Sequence, residues 1–116
     1  MNEYLRLGLG VVYLVIIGGM LHELGHLGMA KLLNLEVLEY QISGLYPHVS
    51  IGTNTGNVTG IFLFLMAGLM TLPLYLIFHR LCFGGIYDYE MMYIVVIFIV
   101  GSTADFYKIL LLFKIV

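Results

Sequence analysis

Two histidines and a glutamate stand close together in a long apolar stretch near the start of the chain, GGMLHELGHLGMAKLL at positions 18–33. His22, Glu23 and His26 form the pattern H-E-x-x-H. On a helix, residues four apart lie on one face, so both imidazoles can bind the same metal ion. Glu23 is then placed to take a proton from a water molecule that the metal activates. The spacing predicts a hydrolytic site, and neutral imidazoles favour zinc, with one Zn²⁺ per chain.

The alternative is that these polar side chains only hydrogen-bond to neighbouring helices. In a soluble helix this interpretation has real weight, because a five-residue motif also arises by chance. In a membrane, adjacent ionisable groups are costly unless they are paired or coordinate an ion. We therefore favour metal binding.

The composition indicates that lipid surrounds most of the chain. Of its 116 residues 61% are hydrophobic and only 10% are charged, and the mean hydropathy is +1.02. A soluble domain of this length carries far more charge on its surface. The net charge is −2 and no basic cluster is present, so nucleic acid is not an expected partner. We expect one domain over residues 1–116, an integral, multi-pass protein of the lipid bilayer.

Three apolar segments reach the roughly 20 residues that are needed to cross a bilayer. They cover about residues 4–33, 60–78 and 91–113. Between the first two, β-branched residues alternate with glycine and asparagine, which is typical of a β-hairpin. A short turn with two glycines joins the last two, at 79–90. The predicted fold is an all-α membrane protein with three transmembrane helices and a β-hairpin-like loop at the membrane edge.

Basic residues near the segment ends favour one orientation of these helices. Arg6 and Arg80 belong to one membrane side, and three lysines belong to the side of the hairpin and the C-terminus, namely Lys31, Lys108 and Lys114. Because Lys and Arg accumulate on the cytoplasmic side, the hairpin and the C-terminus are predicted to be cytoplasmic.

A zinc hydrolase needs a third protein ligand, and Asp105 is the candidate at the right depth. At 1.5 Å per residue, His22 and His26 lie about 12–18 Å from the end of the first segment, and Asp105 lies about 14 Å from the same membrane side. Glu36 and Glu39 follow His26 too closely to belong to a separate returning helix.

Three other ionisable residues fall toward the opposite membrane face, namely His79, Asp88 and Glu90. Alanine at position 88 or 90 is therefore expected to leave both metal binding and activity unchanged. The alternative for Asp105 is a buried carboxylate that is bonded to Ser102 or Thr103 within its own helix.

Together these features resemble the site-2 protease family of intramembrane zinc metalloproteases. The resemblance rests on HELGH in a membrane helix, an edge hairpin, FLMAGLMTLPLYL in the second segment and an aspartate in the third. It covers essentially the whole chain, as a compact and divergent three-helix core. The resemblance implies zinc on His22, His26 and Asp105, with Glu23 as the general base. It also implies cleavage of a membrane-protein substrate within or beside its transmembrane segment.

The stretch around the aspartate departs from the family pattern. The family usually presents this residue in an Asn/Pro-rich stretch that ends Leu-Asp-Gly, whereas this chain has STADF at 102–106. His48 and Ser102 are further candidates for contact with the substrate or its oxyanion. A lone loop histidine is also commonly just a solvated polar residue.

A second class of function uses the same ligands without hydrolysis, in a membrane metal-binding or metal-transport protein. Such a protein has no need of a base like Glu23. Transport also calls for polar groups across the bilayer, and GLGVVYLVIIGG at 8–19 offers none. We therefore expect an intramembrane zinc endopeptidase. The sequence leaves open whether the chain assembles into a homo-oligomer.

Overall fold

The structure, a computed structural model, describes residues 2–42, 47–52 and 58–112. Within these residues the fold is mostly helical and carries one small β-hairpin, as the sequence predicts. The elements, in chain order, are helix α1 (Glu3–Leu32), strands β1 (Val37–Gln41) and β2 (His48–Ile51), and helices α2 (Val58–Ala67), α3 (Leu72–Phe83), α4 (Asp88–Gly101) and α5 (Thr103–Leu112). The strands pair antiparallel, with an irregularity between Val37 and Glu39.

Helix α1 is long and apolar enough to cross a membrane, with 30 residues. Helices α2 and α3 meet the same test of length and composition together, although they are bent by 42° at the break between them. The same holds for α4 and α5, which are bent by 44°. The described chain therefore contains one candidate span, or up to three if each bent pair crosses the membrane as a unit.

The end of α1 is fixed by local backbone chemistry. Asn34 adopts a left-handed conformation with φ of 56°, and the Leu35 N–H donates to the Ala30 carbonyl over 2.8 Å. This is a Schellman ending, in which asparagine tolerates the positive φ that most residues avoid. Ala30 and Leu35 are both buried, in a cluster with Phe64 and its neighbours on α2. The turn therefore directs the chain into β1 while it anchors α1 against α2.

The helix boundaries differ from the sequence prediction around the second turn. Helix α3 continues to Phe83 and α4 already begins at Asp88, so the connection is much shorter than residues 79–90. Gly84 ends α3 with φ of 78°, a conformation that glycine adopts without steric cost. The prediction treated the polar His79 as a helix end, but its side chain is completely buried.

The bent pair α2–α3 is broken next to Gly68. A single 3₁₀ turn, Leu69–Thr71, separates α2 from α3, and the Thr71 hydroxyl donates to the Gly68 carbonyl over 2.6 Å. Pro73 explains part of this break. It has no N–H to donate to the Leu69 carbonyl, and its ring crowds that carbonyl.

Helix α1 and the α4–α5 pair are irregular as well. Helix α1 contains a π-helical turn at Leu14–Gly18, and the third span breaks at Ser102. The π turn ends four residues before His22, and Ser102 lies three residues before Asp105. Irregular backbone at membrane depth is tolerated where protein buries it or where it lines a cavity. The irregular turns in α1 and at Ser102 therefore each lie within four residues of an ionisable side chain.

A buried ionic cluster ties the opposite end of the molecule together. Arg6 of α1 binds Glu90 of α4 through two nitrogen–oxygen contacts of 2.7 and 3.0 Å. The His79 imidazole of α3 donates to the same carboxylate over 3.2 Å, and the Tyr75 hydroxyl bonds to the other ring nitrogen over 3.1 Å. Arg6 also donates to two backbone carbonyls of the turn. The expectation that Glu90→Ala leaves metal binding and activity unchanged stays a prediction. The Glu90 side chain is 0% exposed, which gives it a structural role that the sequence did not indicate.

Glu90→Ala should strongly destabilise the protein, because it leaves Arg6 without its carboxylate partner. Removing one partner of a buried ion pair typically costs about 3–5 kcal/mol. The measurement is the thermal unfolding midpoint in detergent, with Asp88→Ala as the control, since Asp88 is exposed on the same helix turn. Equal midpoints for the two variants would show that the cluster contributes nothing to stability.

Candidate metal centre

Three side chains from two distant parts of the chain converge at one point. Nε2 of His22, Nε2 of His26 and Oδ2 of Asp105 each lie 3.1 Å from the other two. The histidines stand one turn apart on α1, as the H-E-x-x-H spacing predicts. Asp105 lies in the first turn of α5. The side chains of His22 and Asp105 are 13% and 15% exposed and that of His26 is 4% exposed, so the site is largely protected from its surroundings.

The His26 ring is held in one orientation by the end of α2. Its Nδ1 lies 2.6 Å from the Phe64 carbonyl oxygen, and because a carbonyl only accepts, Nδ1 must carry the proton. In the neutral ring the lone pair of Nε2 then faces the Asp105 carboxylate. Two acceptors 3.1 Å apart repel each other unless a cation or a proton lies between them. A histidine fixed through its second nitrogen in this way is the usual arrangement beside a bound metal.

The spacing of the three donor atoms fits a tetrahedral metal. In zinc sites the nitrogen and oxygen donors lie about 2.0–2.2 Å from the ion, which separates neighbouring donors by roughly 3.3 Å. The observed separations of 3.1 Å match that value. Two imidazoles with one carboxylate suit zinc, and three protein donors leave a fourth position for water.

Glu23 belongs to the same cluster. The ligand atoms of His22, Glu23 and His26 all lie within 4.8 Å of one another, so these three residues could also hold a metal ion. Glu23 and Asp105 therefore both lie next to the histidine pair. Asp105 Oδ2 lies 3.1 Å from Nε2 of each histidine, which is the separation expected when all three atoms bind one ion.

Two glycines allow the broken second span to reach the histidines. A Cβ atom on Gly68 would lie 2.6 Å from Nε2 of both His22 and His26, too close for any side chain. A Cβ atom on Gly25 would lie 2.7 Å from the Ala67 carbonyl oxygen. Sequence reasoning did not assign Gly68 to the site. The available signal was a glycine shortly before a proline in an otherwise unbroken apolar run.

His48 and Ser102 lie outside α1 and α5, the helices that carry the three converging side chains. His48 lies on β2, where its Nε2 donates to Oε1 of Glu39 over 2.6 Å. Ser102 is 1% exposed at the break between α4 and α5, and its hydroxyl has no hydrogen-bond partner among the described residues. A role for either residue toward substrate stays a prediction. The Asp105 carboxylate contacts the two histidines and, within the described part of the chain, is not bonded to Ser102 or Thr103. The Thr103 hydroxyl donates to the Val100 carbonyl instead.

A cavity of about 220 Å³ opens beside His22 and Glu23. Its lining is mostly apolar and comes from α1 and α4, with Pro47 at the entrance to β2. Three glycines are part of this lining, Gly18 and Gly19 from α1 and Gly101 from α4. The cavity is therefore a groove between α1 and α4 that leads to His22 and Glu23.

Comparison of the chain with protein-family models, with curated proteins and with solved structures finds no match.

Proposed function

We propose that the protein is an intramembrane zinc endopeptidase of the site-2 protease type. The observation that carries this proposal is the convergence of His22, His26 and Asp105, with Glu23 beside them, at the end of an apolar groove. A metal held only for structural reasons needs neither an adjacent free carboxylate nor an adjoining cavity. Three ionisable groups at this depth of an apolar chain also call for a function.

Each residue of the site has one role in the proposed reaction. His22, His26 and Asp105 hold the ion, and the Phe64 carbonyl keeps the His26 ring in place. When bound, zinc lowers the pKa of a coordinated water toward neutrality and polarises a peptide carbonyl. Glu23 accepts the proton of the attacking water and passes it to the leaving amine. The short separation of Asp105 from both histidines favours this residue as the ligand and leaves Glu23 as the base.

The proposed substrate is a membrane protein that is cleaved within or beside a transmembrane segment. Helix α1 and the two bent helix pairs each cross the bilayer in this arrangement, which makes the protein a multi-pass enzyme. A substrate helix must unwind before hydrolysis, since its carbonyls are otherwise hydrogen-bonded. The β1–β2 hairpin, whose residue Pro47 borders the groove, offers an edge on which an extended substrate can pair.

The proposed orientation places the hairpin and the end of α5 in the cytoplasm. It rests on the lysines near those ends of the helices. In a chain that lacks Cys82, a cysteine at exposed Ser50 should react with an impermeant reagent only after the membrane is opened, whereas one at Asp88 should react in intact cells. The reverse pattern would invert the topology.

Metal binding or transport without hydrolysis is the second candidate, and one observation favours it. The cluster of Arg6, His79 and Glu90 supplies polar groups at the far end that the sequence did not reveal. However, along α1 and α4 the apolar side chains Leu14 and Phe98 stand between that cluster and the metal centre. An ion path would have to cross this apolar layer.

Metal-dependent cleavage separates the two candidates. Purified protein in liposomes should cut single-span reporter peptides from a sequence-randomised panel, lose this activity with a zinc chelator, and regain it when zinc is restored. A protein that binds one zinc but cuts no peptide of the panel, and instead carries zinc into sealed liposomes, would be a transporter.

A further inference from the structure

We infer that the cavity beside His22 and Glu23 receives one apolar side chain of the substrate next to the scissile bond, and that Gly19 and Gly101 set the size of that side chain. This inference rests on the proposed peptidase function. It adds a specificity pocket and names the residues that form it.

The position of the cavity supports this assignment. Its lining includes His22, a metal-ligating candidate, and Glu23, the candidate base, so an occupant lies directly beside the reacting groups. A peptide carbonyl that reaches the metal centre carries its neighbouring side chains into this space. A substrate bound at His22 and Glu23 therefore has this cavity beside its scissile bond.

The size and polarity of the cavity define the class of side chain. An engineered apolar cavity of roughly 150 Å³ stays dry and binds benzene. The cavity here, at about 220 Å³, has room for a side chain the size of leucine, methionine or phenylalanine. The lining is mostly apolar, so a charged side chain would lose its hydration there. The ionisable residues of the lining are His22 and Glu23, which the proposal assigns to the metal and to the attacking water.

The glycines of the lining have two different roles. Gly18 is packed, since a Cβ atom there would lie 3.1 Å from Leu14 Cδ1 and 3.4 Å from Phe98 Cε2. Gly18 is therefore already enclosed by side chains on this wall of the cavity. In contrast, a Cβ atom on Gly19 or on Gly101 would meet no atom within 4 Å. Both residues line the cavity, and a side chain can be added at either position without displacing the backbone.

The test compares Gly19→Leu with Gly28→Leu. Gly28 also lies on α1 with open space around its Cβ position, but it does not line the cavity. Reporter peptides that differ only at the residue next to the cleavage site, with alanine, leucine, phenylalanine or lysine, are incubated with each protein. The wild type and Gly28→Leu should cleave the leucine and phenylalanine peptides fastest. In Gly19→Leu the cleavage rate of these two peptides should fall by about tenfold or more, while that of the alanine peptide is retained. Zinc per chain should be equal in all three proteins.

A binding measurement provides a second readout that does not depend on turnover. Zinc-directed hydroxamates with a methyl, isobutyl or benzyl side chain are titrated against each purified protein, and the dissociation constants are compared. Gly19→Leu should raise the dissociation constant of the benzyl compound about tenfold or more relative to that of the methyl compound. Gly101→Leu should act in the same direction from the opposite wall.

The outcomes separate the two levels of the proposal. If the wild type cleaves peptides and binds hydroxamates, but Gly19→Leu and Gly101→Leu leave the side-chain preference unchanged, the pocket assignment is wrong and the peptidase function stands. If the wild type binds no zinc and cuts no peptide, both proposals are overturned.

Discussion

Glu23→Gln protein should retain one zinc per chain and lose peptide cleavage by at least about 100-fold. The amide keeps the shape of the side chain but cannot accept the proton of the attacking water, and general base catalysis typically contributes a factor of about 10²–10⁴. Zinc binding should persist, because His22, His26 and Asp105 are unchanged. The measurements are zinc content by elemental analysis and the initial rate on a reporter peptide, from the same detergent preparation.

The matched control is Glu3→Gln, the same chemical change at an exposed glutamate in the first turn of α1. It should cleave at the wild-type rate. Wild-type turnover by Glu23→Gln would contradict the role of Glu23 as base. Loss of zinc in Glu23→Gln would instead identify Glu23 as a ligand, which its position within 4.8 Å of the histidine nitrogens allows.

Asp105→Asn should weaken zinc binding by more than about 100-fold and remove cleavage. The loss of a residue that only hydrogen-bonds to a metal ligand typically weakens metal affinity by roughly 10–100-fold, so a larger loss is expected for a ligand itself. Asparagine keeps the size and much of the hydrogen bonding of aspartate, but it lacks the negative charge and is a poorer metal ligand. The measurement is the zinc dissociation constant, from competition with a chelator of known affinity. His22→Ala and His26→Ala should lose zinc in the same assay.

Asp88→Asn serves as the control, because Asp88 is exposed and lies at the opposite end of the third span. It should bind zinc as the wild type does. Unchanged zinc affinity in folded Asp105→Asn protein would make Asp105 a hydrogen-bond partner of the histidines only. The third ligand would then have to be sought in Glu23, or in Glu36, Glu39 and His48.

Local periodicity explains which parts of the site could be predicted. The pairing of His22 with His26 follows from the helical repeat, and the long apolar run around them predicts the helix itself. Depth along the third segment was sufficient to select Asp105 from the remaining acidic residues. The predicted β-hairpin follows from the β-branched and turn-forming residues between the spans.

Contacts between distant segments explain what the sequence did not reveal. The helix break at Gly68 could be suspected from Pro73, but its contact with both histidines depends on how the second span packs against α1. The π turn at Leu14–Gly18 has no signature in the residues themselves. In both cases tertiary packing determines the backbone at the site.

The same reason accounts for the error at the far end of the molecule. A hydropathy profile treats ionisable residues as the ends of spans, so His79 and Glu90 were assigned to a connection. In the structure Glu90 pairs with Arg6, which is 84 residues away in the sequence, and His79 bonds to Glu90 and Tyr75. Such a pairing allows charged residues to continue a helix, because each charge is buried together with its partner.

The most direct measurement of the metal centre is X-ray absorption spectroscopy at the zinc edge of the purified wild-type protein. We expect one zinc per chain, with about four nitrogen or oxygen donors near 2.0–2.1 Å, multiple scattering from two imidazoles and no sulfur. In Asp105→Asn protein reconstituted with zinc, the imidazole scattering should persist while the oxygen shell changes. A spectrum without imidazole scattering, or protein that purifies and reconstitutes with no bound zinc, would contradict a zinc centre on His22, His26 and Asp105.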